Sequence, residues 1–247
     1  MSTSLQNEIA NRYYATTAVR GHNRSLDHYR RCAAGLLRWL RPWLPANRNA
    51  RCLDLACGCG EFLFALQQQG FCQTAGVDLC AEELNEAAHF VHSELVESDV
   101  LEFLRLAPDA SFDFIAALNI LEHLSKDQLA SVLREARRAL APGGTLVAMV
   151  PNAISPLGTL TRHWDITHEW AFTPNNFRQL AAAVGFDPRV DFLECGPRPH
   201  GVVSAIRWTL WQAVRAGIAL RFLIEVADRK EGIYTMDMLV RLHASKE

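Results

Sequence analysis

The chain has 247 residues, 49% of them hydrophobic, enough to bury the core of one α/β domain with embellishments and no disulfide or metal staple. A formal charge of −2 and a pI near 6.5 provide no broad basic field, which excludes nucleic acid as an expected partner. Seven irregularly spaced cysteines outline no disulfide framework, and the opening MSTSLQNEIANRYY lacks the basic start and apolar core of a signal peptide, so the expected location is a reducing cytoplasm.

Residues 1–45 read as a cap of two helices, the clearer running from Ser25 to Leu40 with Ser25 as N-cap and Pro42 and Pro45 as stops. Across 51–152 the short β-rich runs RCLDLA, TAGVDL, SELVES, FDFIAAL and GTLVAMV are each followed by a helix-like stretch or a turn. That alternation implies right-handed crossovers and a parallel sheet covered on both faces. APGGT (Ala141–Thr145) supplies a sharp turn into the fifth run. From 153 to 247 the character changes. An irregular stretch (Ala153–Phe172) precedes a helix that starts near Thr173-Pro174 and is closed by Gly185. A long apolar helix is expected over 202–228. Its three arginines, Arg207, Arg215 and Arg221, fall within an arc of roughly 120° and make a bilayer-spanning role too costly. Such a helix packs on the domain or on a second subunit, or else it touches lipid headgroups or an anionic substrate.

The loop in LDLACGCGEF, after the first strand, is where a ligand sits in an open parallel sheet. Ala56, Gly58 and Gly60 let backbone approach it, and the helix from about Glu61 presents unpaired N–H groups. Asp78 follows about 20 residues later, where a carboxylate accepts hydrogen bonds from ribose hydroxyls. An adenosine-containing cofactor is indicated. A nicotinamide dinucleotide competes, but Leu63 stands where the third glycine of G-x-G-x-x-G belongs, and Glu61 puts negative charge beside the would-be pyrophosphate. Cys52, Cys57 and Cys59 lack a second metal-binding pair at zinc spacing, so no metal is assigned to the loop.

LDLACGCGEFL, GVDL, ESDVLEFL, FDFIAALNILEHL and ALAPGGTLVAMVPN resemble, in order and spacing, the successive motifs of class I S-adenosylmethionine-dependent methyltransferases over about Arg51–Asn152. DITHEWAFTPNNFRQLAAAVGF (Asp165–Phe186) extends the likeness toward methyltransferases found with bacterial cell-envelope glycan biosynthesis. The resemblance implies one domain over 1–247 with an α/β, Rossmann-like fold. Its seven-stranded sheet would be mostly parallel with an antiparallel last strand (YTMDMLVRLHA), helices on both faces, an N-terminal helical lid and a long C-terminal helix insertion. It also implies that Asp54 lies beneath the methionine amino group, with Ala56, Gly58 and Gly60 along the methionine and ribose. Asp78 would take the ribose hydroxyls, Leu79 would pack on adenine, Asp99 and Val100 would meet the adenine edge, and Asn119 and Ile120 would flank the methionine portion. Ala56 departs from the glycine common in the family. In the absence of a cofactor role, Asp99 is a simple N-cap for the helix at Val100.

Methyl transfer from a sulfonium requires alignment, exclusion of water and, for a hydroxyl acceptor, a proton acceptor. His123 in NILEHL is the first candidate and His168 in DITHEW the second. Either could instead be structural: His123 bonded to backbone, His168 paired with Asp165 or Glu169. Glu122, His123, Asp165, His168 and Glu169 could otherwise gather around a divalent cation, as a comparable Glu-His pair does in some relatives, but no metal ligand is assigned. Tyr13, Tyr14, Trp164, Trp170 and Phe172 could stack on an acceptor, and Arg20 or Arg24 could meet the cofactor carboxylate from a lid. The expected activity is O-methylation of a saccharide or other small molecule of an envelope pathway. The alternatives are a quinone-like or secondary-metabolite phenol as acceptor, a nicotinamide-dependent oxidoreductase, and a non-catalytic cofactor-binding protein that meets a partner or forms a homodimer through the 202–228 helix.

Overall fold

A computed structural model describes residues 24–228 and 230–245. The first of the two helices expected in 1–45 lies outside the described residues, as do Tyr13, Tyr14 and Arg20. The second forms as expected. Ser25 accepts a hydrogen bond from the His28 amide and opens α1 (Leu26–Leu40), and Pro42 sits in a single 3₁₀ turn that ends it. The alternating core follows as β1 (Cys52–Leu55), α2 (Glu61–Gln68), β2 (Thr74–Asp78), α3 (Ala81–Ala87), β3 (Glu94–Glu97), α4 (Val100–Leu106), β4 (Phe112–Leu118), α5 (Lys126–Ala139) and β5 (Leu140–Pro151). Beyond it lie α6 (Gly158–Arg162), α7 (Pro174–Val184), β6 (Val190–Glu194), α8 (Val202–Val226) and β7 (Asp237–His243).

The seven strands lie in the order β3-β2-β1-β4-β5-β7-β6. β1 to β5 are mutually parallel, and β7 inserts antiparallel between β5 and β6. Side chains alternate across the sheet and build two cores. Phe114 and Ala116 of β4 point toward α1, α2 and α3, while Ile115 and Ala117 point toward α4, α5 and α7. β5 begins earlier than the expected turn at APGGT. Leu140 already pairs with Phe112, and the register skips before Phe114 meets Thr145. Gly144 is fixed there because a Cβ would lie 2.9 Å from the Ala141 carbonyl and 3.1 Å from that of Asp113.

α7 starts at a capping box made by Thr173 and Asn176 and stops at Gly185, as its Pro-start and Gly-stop pattern predicts. α8 packs less closely than expected. Only Ser204 of it is buried, and it is held along one stripe by a 2.7 Å ion pair of Arg215 with Glu194 and by Phe222 stacking on Tyr234. No helix among the described residues is long and apolar enough to cross a membrane.

Candidate active site

The carboxyl edge of β1 and β2 forms a crevice shaped by backbone. Ala56, Gly58 and Gly60 all have left-handed φ values, of 54°, 51° and 79°. The glycines adopt this at little cost, whereas a Cβ on Gly58 would come within 3.1 Å of Glu83 and one on Gly60 within 3.1 Å of Ala87. Asp78 at the end of β2 holds the loop shut. Its Oδ2 accepts from the Gly58 amide at 2.8 Å, and its Oδ1 accepts from the Cys80 amide at 2.9 Å. From the other side Tyr29 of α1 donates its hydroxyl hydrogen to the Cys59 carbonyl at 2.6 Å. Each Asp78 oxygen keeps a further lone pair for a ligand hydroxyl.

The crevice is acidic. Burial, Asp78 and Glu61 raise the Asp54 carboxyl well above its ordinary value, and burial with Asp78 pushes Glu83 up to about 7. Such a crowd of carboxylates repels a pyrophosphate and favours a cationic ligand group. Beside it, Arg24 has its Nε and one Nη buried without a hydrogen-bond partner among the described residues, and its charge reaches Glu83. One unsatisfied cation among several anions fits an amino-acid moiety, with its ammonium toward the carboxylates and its carboxylate toward Arg24. Residues that would hold S-adenosylmethionine are therefore assembled here. The three cysteines in and before this loop are packing residues. Cys52, Cys57 and Cys59 are buried, and burial pushes the Cys52 thiol up to about 12.

Leu79 stands open at the rim with 61% of its surface exposed. Asp99 caps α4, its Oδ1 accepting from the Leu101 and Glu102 amides at 2.8 and 3.1 Å, with Val100 opening that helix. Asn119 follows β4 at φ 58°, a value its short polar side chain tolerates, and Ile120 leads into a 3₁₀ turn at Leu121–His123.

That turn carries the second half of the site. The rings of His123 and His168 meet edge to face, 4.8 Å between centroids. Thr167 donates to Asp165 Oδ1 at 2.7 Å, so its oxygen accepts from His123 Nδ1 at 2.7 Å. His168 Nδ1 lies 2.9 Å from the Thr161 carbonyl, which can only accept. Both imidazoles are thereby fixed with a hydrogen on Nδ1 and a bare Nε2. Burial and the neighbouring His168 depress His123 to about 4. Glu122 is buried, raised by that burial to about 8, and its Oε2 has no hydrogen-bond partner among the described residues. Burial raises Asp237 too, against the opposing pull of His168.

Glu122, His123 and His168 offer ligand atoms within 4.8 Å of one another, so these three could hold a metal ion. Of the five-residue set weighed from sequence, Asp165 is removed by one step, bonded through Thr167, and Glu169 meets Glu122 through backbone. His168 also meets Asp165, its backbone amide donating to the Asp165 carbonyl at 3.2 Å while its ring bonds the Thr161 carbonyl. Among the aromatics, Phe172 is buried in the core, Trp170 stacks on it and donates to the Leu124 carbonyl, and Trp164 is exposed. Sequence reasoning missed Glu83, Thr167 and Asp237. Thr167 lies next to a named candidate, but the other two join the site only through packing of α3 and pairing of β7.

Residues 22–189 match the family described as "Methyltransferase domain". Among curated proteins, the chain is 34% identical over 113 residues to a carboxy-S-adenosyl-L-methionine synthase of Stutzerimonas stutzeri, covering 41% of this chain and 45% of that one. It is 31% identical over 108 residues to the 27-O-demethylrifamycin SV methyltransferase of Amycolatopsis mediterranei, covering 42% and 39%. The chain spans under half the length of these curated relatives. A solved S-adenosylmethionine-dependent methyltransferase from Archaeoglobus fulgidus shares the fold at a TM-score of 0.64 and 20% identity, over 87% of this chain and 94% of that one.

Proposed function

Since the chain belongs to the class I S-adenosylmethionine-dependent methyltransferases, we propose that it methylates a hydroxyl of a saccharide or related small molecule of a cell-envelope pathway, with the His123–His168 pair receiving the proton. Bound in the crevice, S-adenosylmethionine supplies a methyl group on a sulfonium that departs as a neutral thioether. Asp54, Asp78 and Glu83 would hold its cationic and hydroxyl groups, Arg24 its carboxylate, and Ala56, Gly58, Gly60, Leu79, Asp99, Val100, Asn119 and Ile120 its remaining surface. The acidity of the crevice argues against the dinucleotide of the oxidoreductase alternative.

The observation that carries the proton-transfer step is the pair of bare Nε2 atoms at the carboxyl edge of β4. His123 at about 4 is too weak a base near neutrality, which leaves the bare Nε2 of His168 to take the proton. His123, kept neutral and oriented through Thr167 and Asp165, accepts a hydrogen bond and aligns the acceptor. This order reverses that suggested by the sequence.

The envelope-glycan class rests on the likeness of Asp165–Phe186. The match to an enzyme named for a rifamycin O-methylation favours a secondary-metabolite hydroxyl as the second reading. Seven free thiols support a cytoplasmic location. The test supplies radiolabelled donor with a bacterial small-molecule extract and compares His168→Ala, His123→Ala and wild type. Turnover should fall by about 10²–10⁴ in His168→Ala while affinity for S-adenosylhomocysteine holds. Parallel loss of both would place His168 in folding or cofactor binding instead.

A further inference from the structure

The outward side of α8 is a continuous apolar face. Val202, Ile206, Leu210, Leu220 and Ile224 follow one another at helical spacing, each between 56% and 78% exposed. Trp208 lies on the opposite side of the helix, with Trp211 and Arg215. So large an uncovered apolar surface marks a contact. It also continues into the enzyme. Val214 and Ile218 of α8, with Trp211, wall a cavity of about 370 Å³ together with Pro156, Leu157 and Asp237. Asp237, paired in register with Pro151 at the carboxyl edge of β5, brings this cavity to the edge that carries the histidine site, and Leu157 of its lining is itself 48% exposed.

The charges on this side select the occupant. Glu225 beside the face and Glu194 behind it are already engaged by Arg221 and Arg215, at 3.4 and 2.7 Å. Arg207, exposed beside Ile206, has no carboxylate partner among the described residues. A second copy would bring another unpaired cation against this face, whereas anionic headgroups would neutralise Arg207 while the apolar face enters the acyl boundary. We propose that the outer face of α8 rests on an anionic lipid bilayer, and that the acceptor is an amphiphile whose apolar part reaches the cavity over Asp237 from that surface. The helix lies on the membrane and does not cross it. The acceptor half of the proposal rests on the methyl-transfer reading above; the docking half does not.

The test floats the full chain with vesicles of phosphatidylcholine alone or with about one third phosphatidylglycerol, part of it carrying a photoactivatable acyl chain. Wild type should float with the anionic vesicles only, and cross-links should map to 202–226 and 155–157. Combining Ile206→Ser, Leu210→Ser and Leu220→Ser should lower partitioning at least about tenfold, with affinity for S-adenosylhomocysteine unchanged. Arg207→Gln, a milder change, should weaken the anionic preference by itself. The proposal is overturned if wild type stays unbound, if the serine variant floats equally well, if cross-links fall elsewhere, or if sedimentation finds a dimer that the serines dissociate and no flotation occurs. These readouts need no methyl transfer, so an inactive enzyme that still floats and cross-links as stated counts against the functional reading alone.

Discussion

At the scale of single residues, the site is built on backbone positions that ordinary side chains resist. Ala56 occupies the left-handed region at φ 54°, where a Cβ crowds the following carbonyl. Ala56→Gly should therefore raise stability by about 0.5–1 kcal/mol, the relief of strain outweighing the added freedom of the unfolded chain. Thermal or urea unfolding measures it, and a destabilised variant would show that the methyl group has packing value larger than its strain. Glu122 poses the converse problem, a buried acid with an oxygen left without a partner. Its folded pKa of about 8 lies above the ordinary value of 4.5, so the stability it contributes is complete below about pH 4.5 and is lost as pH rises through 8. Glu122→Gln imitates the protonated form and should flatten that alkaline decline. The gap in unfolding midpoint between variant and wild type should widen from pH 6 to pH 9; a constant gap would mean that Glu122 is charged throughout. A divalent ion held by Glu122, His123 and His168 has a separate signature, loss of turnover on chelation with restoration by one metal.

Among the elements, α1 is the one whose placement governs the cofactor crevice. Tyr29, fully buried, stacks on Phe90 at 4.2 Å and donates to the Cys59 carbonyl, so the helix and the glycine loop are ordered together. Tyr29→Phe keeps the ring and leaves that carbonyl without its donor, which should cost about 1–3 kcal/mol. If the loop holds the cofactor as proposed, calorimetry should also find weaker binding of S-adenosylhomocysteine, because the loop is no longer tied. Unchanged affinity would separate α1 from the site. β7 has the corresponding role on the acceptor side. Asn152 at the end of β5 donates to the Ile233 and Thr235 carbonyls, at 3.0 and 2.9 Å, and so delivers Asp237 to the edge where His168 stands.

For the whole molecule, opposing titrations set the pH range of stability. Glu83 and Glu122 have raised folded pKa values of about 7 and about 8, so the protein loses stability as pH climbs through that window. His123 is depressed to about 4 from 6.5, so its contribution is complete above pH 6.5 and is lost as pH falls toward 4. Unfolding midpoints of the ligand-free protein should therefore peak on the acid side of neutrality and fall toward both limits. A midpoint still rising between pH 7 and 9 would contradict the buried, neutral state of the two glutamates.

Local chemistry settled much of this protein. Ser25, Pro42, the Thr173-Pro174 start and Gly185 marked helix ends because caps and stops act through neighbouring backbone groups. The five β-rich runs gave the parallel core, and the loop Ala56-x-Gly58-x-Gly60 with Asp78 marked the crevice at the edge of β1 and β2, since a tight turn and a strand-end carboxylate are encoded within a few residues. Tertiary structure alone decided what depends on contacts between distant segments. It brought Glu83 against Gly58, joined His123 to Asp165 through Thr167, and carried Asp237 opposite Pro151 on a strand that returns antiparallel. It also turned Arg215 inward to Glu194 and left the opposite face of α8 uncovered. A sequence pattern specifies which residues share a helix face or a turn, but burial and charge coupling between elements, which shift the carboxyl and imidazole groups here, exist only once the chain has folded.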